Sequence, residues 1–443
     1  MGLVKLRIHH TLEKTIRQDL LRPHPFAYER VGFVSGALGY GESDSLILLP
    51  RDYRAVADEH YIKDEYVGAR INSEAIRAEL QHILHTGLGS LHVHMHGLKG
   101  RPRLSPTDLA ELPLLVKSMR SLKSDVPHGL LILSEDDCWV WIWLPGEANF
   151  VEPESVSIVG SPLTFSFKHF DNSLDDKFDR QSFLGDRSQG TFRAVTVGVV
   201  GLGGGGSHVV QQLAHLGFRN YRVFDGDVVE DTNLNRLIGA TVDDVEKATN
   251  KIAVAERVVK SLQPDADFKS HLGRWQENPE LLRGCDVVFG CVDGFAERRE
   301  LEVICRRYLI PYIDIGMDVH KVGSEPARMA GQVILSMPGG PCMFCLGFLN
   351  EERLAKEAAT YGNAGKRPQV VWANGVLAST AVGLGVALLT GWSRRSHVTY
   401  FSFDGNTGTL QSHPRLEYVQ MNCEHYSLSE LGNPVWKPVL SET

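Results

Sequence analysis

The stretch Ala194–Ser207, AVTVGVVGLGGGGS, limits what this chain can fold into more than any other. A β-branched run (Val195, Val197, Val199, Val200) ends directly in Gly201-Leu-Gly203-Gly204-Gly-Gly206. Residues His208 to Gly217 then carry apolar positions at helical spacing. Strand, glycine turn and helix in that order are the context a nucleotide-binding GxGxxG requires. The glycines let the backbone turn tightly and approach a phosphate, and the helix N-terminus offers unpaired N–H groups at its positive end. A second strand, Tyr221–Phe224, runs into Asp225-Gly-Asp227, where an acidic group can accept hydrogen bonds from a ribose. The expected fold class is α/β, with a Rossmann-like domain on a mainly parallel sheet.

A chain of 443 residues, 43% of them hydrophobic, is long enough for two or three domains with real cores. The net charge of −8, with no basic stripe interleaved with aromatics, argues against a nucleic-acid partner. The N-terminal MGLVKLRIHH lacks the apolar core of a signal peptide, and no apolar run is expected to span a membrane. Seven cysteines, an odd number, read as reduced usage, so a cytoplasmic protein without a membrane partner is expected. Composition divides the chain into a first domain over 1–150, a connection over 151–175 and a second domain over 176–443. Within the connection, Ser155–Phe167 alternates as a strand does.

In the first domain a Gly-rich hairpin region (Ser35 to Ser43) precedes the apolar strand Leu46–Leu49. Asn72–Leu88 is expected to form an amphipathic helix with Ile76, Leu80, Ile83 and Leu84 on its apolar face. The alternating Ser90-Leu-His92-Val-His94-Met-His96 puts three imidazoles on one face of a strand. Ser105 or Thr107 can cap a helix beginning near Asp108. Gly129–Leu133 and Cys138–Trp143 read as a closing pair of strands. Two neutral imidazoles and a carboxylate make an open zinc site with one position left for water.

The order Glu29, His-x-His, Ser105-x-x-Asp108 resembles the JAMM (JAB/MPN) zinc isopeptidases over residues 5–150. The resemblance implies a JAB/MPN-like α/β hydrolase with His94, His96 and Asp108 as zinc ligands. It further implies Glu29 as general acid/base and Ser105 as a partner of the tetrahedral oxyanion. The gap from His96 to Asp108 is one residue longer than usual, and Gly97 stands where a proline is common. The third histidine leaves the register open, with His92 and His94 as the other candidate pair.

Beyond the glycine turn come Asn233-Leu-Asn-Arg236, then Lys251 at the start of another helix, and the strand Asp286–Asp293 with an acid at its end. Together with Phe178-Asp-Arg180-Gln181 these resemble the ThiF/MoeB/ubiquitin-activating superfamily over about 175–435. The resemblance implies ATP-dependent adenylation of the C-terminal glycine of a ubiquitin-like or sulfur-carrier protein by a homodimer. It assigns Gly201, Gly203, Gly204, Gly206, Asp225, Asp227 and Asn233 to the nucleotide. Arg236 and Lys251 go to the phosphates, Asp293 to Mg2+, and Arg180 to the neighbouring subunit's site. Leu237 replaces a usual glutamine, and Gly294 an asparagine often found after the metal aspartate.

Cys342-Met-Phe-Cys345 is half of a structural zinc site. Cys423 offers a third ligand; Tyr426 occupies the usual place of a fourth cysteine, and His425 can substitute. From Leu346 to Asn422 there is no cysteine, although thioester-forming relatives keep one there. Cys285, Cys291 and Cys305 read as core residues. Adenylation without a self-thioester is therefore expected, with transfer to an external nucleophile, such as a downstream conjugating enzyme, or to a residue of Glu351–Gln369. The cofactor set is ATP, Mg2+ and two Zn2+, one catalytic and one structural. Two other readings remain open: a weakly catalytic scaffold docking a carrier protein, and a peptide-adenylating biosynthetic enzyme.

Overall fold

The structure, a computed structural model, describes residues 3–23, 28–64, 67–321, 323–359, 368–393, 398–420, 423–427 and 430–435. Residues 360–367, the centre of the segment expected to offer a nucleophile, lie outside the described residues. The chain divides into two compact units. One comprises Met1–Gly160 with Thr164–His169 and Leu431–Val435, and the other is built mainly on Phe170–Glu430.

The first unit is an eight-stranded mixed sheet. Its strands are β1 (Val4–His9), β2 (Val31–Tyr40), β3 (Leu46–Ala55), β4 (Gly89–Met95), β5 (His128–Leu133), β6 (Cys138–Trp143), β7 (Ser155–Val159) and β8 (Thr164–Phe167). They lie in the order β6-β5-β4-β2-β3-β1-β7-β8. Three helices accompany them: α1 (His10–Leu20), α2 (Ser73–Thr86) and α3 (Pro106–Leu122). Alternation along β4 sorts its side chains between the two faces. Leu91 and Val93 join Ile16 and Leu20 of α1 in one cluster. On the other face Phe33 of β2, whose ring meets His92, packs with Ile83 of α2 and Met119 of α3.

The Gly-rich hairpin expected from Ser35 to Ser43 forms: β2 runs through Ser35–Tyr40, with a register shift between Ser35 and Gly36, and pairs antiparallel with β3 up to Tyr40 opposite Leu46. Two local expectations are revised. The helix expected over Asn72–Leu88 forms as α2, capped by the Asn72 carboxamide, which accepts from the N–H groups of Glu74 and Ala75 at 3.0 Å each. Its buried face is Ala75, Glu79 and Ile83, whereas Leu84 is 59% exposed. On that face Glu79 is buried and forms an ion pair with Arg54 of β3. Residues 155–167, expected to alternate as a strand within a connection, do form strands, β7 and β8, but these belong to the sheet of the first unit.

The second unit is also built on eight strands: β9 (Thr196–Val200), β10 (Asn220–Asp225), β11 (Asp267–Leu272), β12 (Val287–Gly290), β13 (Tyr312–His320), β14 (Arg328–Ser336), β15 (Tyr400–Asp404) and β16 (Thr409–Ser412). The order is β11-β10-β9-β12-β13-β14-β15-β16. The first five strands are parallel and the last three antiparallel. Its helices are α4 (Ser188–Ala194), α5 (Gly204–Leu216), α6 (Val242–Glu246), α7 (Lys251–Leu262), α8 (Pro279–Arg283), α9 (Phe295–Arg307), α10 (Glu351–Ala359) and α11 (Val371–Thr390). The expectation of a Rossmann-like α/β domain on a mainly parallel sheet holds. The expectation that no segment is long and apolar enough to span a membrane does not. By length and composition α11, with 20 residues, passes that test. Most of α11 is buried, and it packs on α5, β13 and β14. Gly385 of this helix lies against Phe289 and Ile313.

Candidate functional site: a nucleotide cavity, a second cavity and two metal-ligand clusters

The chain passes from β9 to β10 on one side of β9 and later returns to lay β12 on the other. Such a switch opens a crevice beyond the carboxyl ends of the strands. Gly201 takes φ +87°, a left-handed conformation that glycine alone adopts cheaply. A Cβ on Gly206 would lie 1.9 Å from the Gly201 carbonyl oxygen, so the first turn of α5 can close on the loop only because residue 206 is glycine. The Asp225 carboxylate accepts from Leu202 N–H at 2.6 Å and from Asp227 N–H at 2.8 Å, tying the end of β10 to the glycine turn. Burial raises the pKa of this carboxyl, opposed by the charge of Lys251.

The crevice is a cavity of about 1550 Å³, and Gly201, Gly203, Gly204, Asp225, Asp227, Asn233, Arg236, Lys251 and Asp293 all line it. Lys251 Nζ pairs with Asp227 Oδ2 at 2.6 Å. Asn233 is buried, and its Oδ1 accepts from Glu230 N–H at 3.0 Å. The Arg236 guanidinium donates to Thr232 O at 2.6 Å and to Asn235 Oδ1 at 3.0 Å. Asp293 lies just past the end of β12. Two of the expected residues do not line the cavity: Gly206, whose place is in the packing of the loop, and Arg180, which is exposed. Arg274 and Arg299 line it as further cations, a role that no local motif marks. Cys291, read as a core residue, also lines the cavity; burial pushes its thiol pKa far up, so it is protonated near neutral pH. Cys285 and Cys305 are fully buried.

A second cavity, of about 570 Å³, lies over β14 and β15. Phe295, Phe348, Tyr400 and Phe403 give it an aromatic lining, and the ring of His413 stacks on Tyr400 at 4.0 Å. Helix α10 borders both cavities. Leu354, Glu357 and Ala358 face the first, and Arg353, Lys356 and Glu357 the second. The second cavity needs three antiparallel strands brought together from distant parts of the chain, so sequence pattern alone did not reveal it.

Cys342, Cys345, Cys423 and His425 converge. Cys342 Sγ lies 3.6 Å from Cys345 Sγ, Cys345 Sγ 3.8 Å from Cys423 Sγ, and His425 Nδ1 3.6 and 3.4 Å from Cys342 and Cys345. Ligands on one tetrahedral zinc stand roughly 3.3–3.8 Å apart, so the donor set and its spacing fit that ion. Tyr426 is turned elsewhere, with its hydroxyl 3.4 Å from Glu302 Oε2. Under the knuckle, Arg306 of α9 donates to Gly340 O at 3.0 Å and to Pro341 O at 2.9 Å. Glu302 accepts from Met343 N–H at 2.9 Å.

In the first unit His94 Nε2 and His96 Nε2 lie 3.0 Å apart, and 3.3 and 3.5 Å from the two oxygens of Asp108. A Glu29 oxygen lies within 4.8 Å of both imidazoles. Ser105 caps α3: its hydroxyl accepts from Asp108 N–H at 3.1 Å, and its own N–H donates to the Asp108 carboxylate at 2.7 Å. This capping box aims the carboxylate. Burial opposes ionisation of Asp108, and the bonds from His94 and His96 outweigh it, holding the carboxyl well below the usual range. His92 is set apart, edge-on to Phe33, and burial pushes it down to about 3. Of the two histidine pairs left open by the sequence, His94 and His96 are the ones that meet Asp108. Two imidazoles and a carboxylate converging in this way, with a second carboxylate near, fit a divalent cation.

The strand order and the glycine loop define the second unit as a Rossmann-like domain. The chain belongs to the ThiF family, which matches residues 178–425. Among curated proteins it is 32% identical over 176 residues to the SAMP-activating enzyme E1 of Haloferax volcanii, covering 39% of this chain and 61% of that protein. It is 25% identical over 276 residues to ubiquitin-like modifier-activating enzyme 5 of Gallus gallus, covering 56% and 66%. The chain thus spans less than two thirds of the length of these relatives. Among solved structures, E. coli MccB with ATP aligns over 58% of this chain and 74% of its own, at 19% identity and a TM-score of 0.46.

Proposed function

We propose that the second unit uses ATP to adenylate the C-terminal glycine of a ubiquitin-like or sulfur-carrier protein, and that the first unit is a zinc (iso)peptidase acting on a tail of that kind. The observation that carries the first half is the nucleotide cavity. It combines a phosphate-approaching glycine loop, a ribose-type acid and two cations beside a second cavity suited to an extended tail.

A tail carboxylate oxygen attacks the α-phosphorus of ATP. The bond from that phosphorus to the bridging oxygen breaks, pyrophosphate departs and the acyl-adenylate remains. Two anions meet in this step, so fixed cations must neutralise charge that grows in the transition state. Arg236 is held at the cavity by Thr232 and Asn235, and Lys251 reaches it by exchanging Asp227 for a phosphate oxygen. Asp293 would hold Mg2+, which screens the phosphate oxygens. Arg180, exposed and outside its own cavity, would serve the site of a second copy in a homodimer. Among the described residues of Leu346–Asn422 there is no cysteine, and Cys291 is held protonated, so the activated tail passes to an external nucleophile.

For the first unit, zinc on His94, His96 and Asp108 would supply Lewis acidity and a nucleophile at neutral pH. Glu29 moves the proton from the nucleophile to the leaving amine. Ser105 keeps its hydroxyl hydrogen for the tetrahedral oxyanion, and the Cys342, Cys345, Cys423 and His425 cluster would hold a second, structural zinc.

The test is ATP–pyrophosphate exchange with a carrier ending in a free glycine carboxylate, comparing wild type with Arg236→Ala and Asp293→Ala. Carrier-dependent exchange that both substitutions abolish is the expected result. ATP binding without exchange on any mature carrier would overturn the enzyme reading and leave a docking scaffold.

A further inference from the structure

Helix α9 begins directly after Asp293, with Gly294 at its N-cap and no side-chain cap of its own. The N–H groups of its first turn are capped from elsewhere in the sequence. Phe295 N–H donates to Glu357 Oε1 at 2.9 Å, and Ala296 N–H to Glu357 Oε2 at 2.8 Å. Glu357 belongs to α10, which buries no residue. At its other end α10 is anchored by Arg353, which donates to Phe348 O at 2.5 Å and lies beside the rings of Phe295 and Phe348. The helix is thus tied down near its start by Arg353 and, one turn further on, meets the start of α9 through the Glu357 carboxylate.

The position of that carboxylate gives it meaning. Glu357 is the residue of α10 common to both cavities. Beneath it the sheet is continuous: Gly316 and Met317 border the first cavity, and their register partners Gln332 and Gly331 border the second. A tail in the second cavity must bring its carboxylate past this point to reach a nucleotide in the first. One pair of N–H groups at a helix N-terminus favours one anion, and two carboxylates brought onto it repel.

We propose that Glu357 stands in for the substrate's own carboxylate: it latches α10 across the passage between the two cavities, and the C-terminal carboxylate of the tail displaces it to enter. The inference rests on the adenylation reading for the nature of the tail. The latch itself is measurable without any turnover. Loss of a side-chain cap shifts a helix-end equilibrium by about tenfold, and a ligand that binds only the open form gains in apparent affinity as the closed fraction falls.

Hydrogen exchange on the full chain reads the latch. In Glu357→Ala the amides of α10 are expected to exchange about tenfold faster than in wild type, with β9 and β12 unchanged. In wild type, a synthetic peptide ending in Gly-Gly with a free carboxylate accelerates exchange in α10, and the same peptide as its C-terminal amide does not. Equal exchange in Glu357→Ala and wild type overturns the latch. Slowed α10 exchange with the free-acid peptide overturns displacement, since the helix would then be closing on the tail. In the pyrophosphate assay Glu357→Ala lowers the carrier KM by about tenfold, and a raised KM would make Glu357 part of tail binding instead. Absence of exchange in wild type would count against the adenylation reading alone, because the peptide-free comparison of Glu357→Ala with wild type still reports on the latch.

Discussion

Two glycines of one loop are expected to fail in opposite ways when replaced by alanine. Gly203 has φ −68°, which any residue accepts, and a Cβ built there meets nothing within 4 Å. The space above it is the nucleotide cavity. Gly203→Ala should therefore fold as wild type does, with a melting temperature within about 1 °C, since surface changes without new contacts are nearly neutral. Its methyl group instead occupies the place where a phosphate would approach the backbone. A displacement of about 1 Å in such a site costs on the order of 100-fold in activity, so KM for ATP should rise by tenfold or more. Gly206→Ala has the reverse character. Its Cβ would stand 1.9 Å from Gly201 O, a backbone atom that cannot move aside cheaply. Overpacking of this kind costs about 1–3 kcal/mol, which lowers the melting temperature by roughly 3–10 °C for a unit of this size. Scanning calorimetry and ATP titration on the two variants separate the effects. A Gly203→Ala protein that binds ATP as tightly as wild type would refute the placement of the phosphates against this loop.

Further outcomes follow from other parts of the structure. Cys345→Ser should remove one equivalent of bound zinc by elemental analysis and leave the equivalent held by His94, His96 and Asp108; His94→Ala should do the converse. Asp227→Ala removes the partner of Lys251 Nζ at 2.6 Å and should strengthen ATP binding a few-fold in titration, because the lysine no longer exchanges one anion for another. Trp139→Ala deletes a fully buried ring whose Nε1–H donates to Glu152 at 2.7 Å, and should destabilise the first unit by about 3–5 kcal/mol in urea unfolding.

The parts legible in the sequence are those where one residue type meets a local backbone demand. Gly201 and Gly206 mark a turn only glycine can make, and the alternation of His92, His94 and His96 fixes their shared face before any partner is known. Ser105 and Asp108, three residues apart, form the capping box that their spacing permits. What stayed hidden depends on contacts between distant segments. Leu84 is exposed while Glu79 is buried in an ion pair with Arg54 of β3, a partner that helical periodicity does not show. His425, not Tyr426, stands with the three cysteines, and the tyrosine hydroxyl lies instead 3.4 Å from Glu302, on a helix far back in the chain. Arg274 and Arg299 carry no motif, and only the folded sheet brings them to the cavity. Glu357 reads as one more charge in the segment Glu351–Gln369; only the fold shows that part of it is the helix α10 and that α9, with no side-chain cap of its own, starts against it.

The most direct measurement of the central claim is intact-mass analysis of a carrier protein incubated with this chain, ATP and Mg2+, and quenched in acid. A carrier with a free C-terminal glycine should gain the mass of one adenylyl group on that residue. The gain should disappear with Arg236→Ala and with a carrier lacking the terminal glycine. ATP consumption with the carrier mass unchanged, under conditions that preserve an acyl-adenylate, would contradict it.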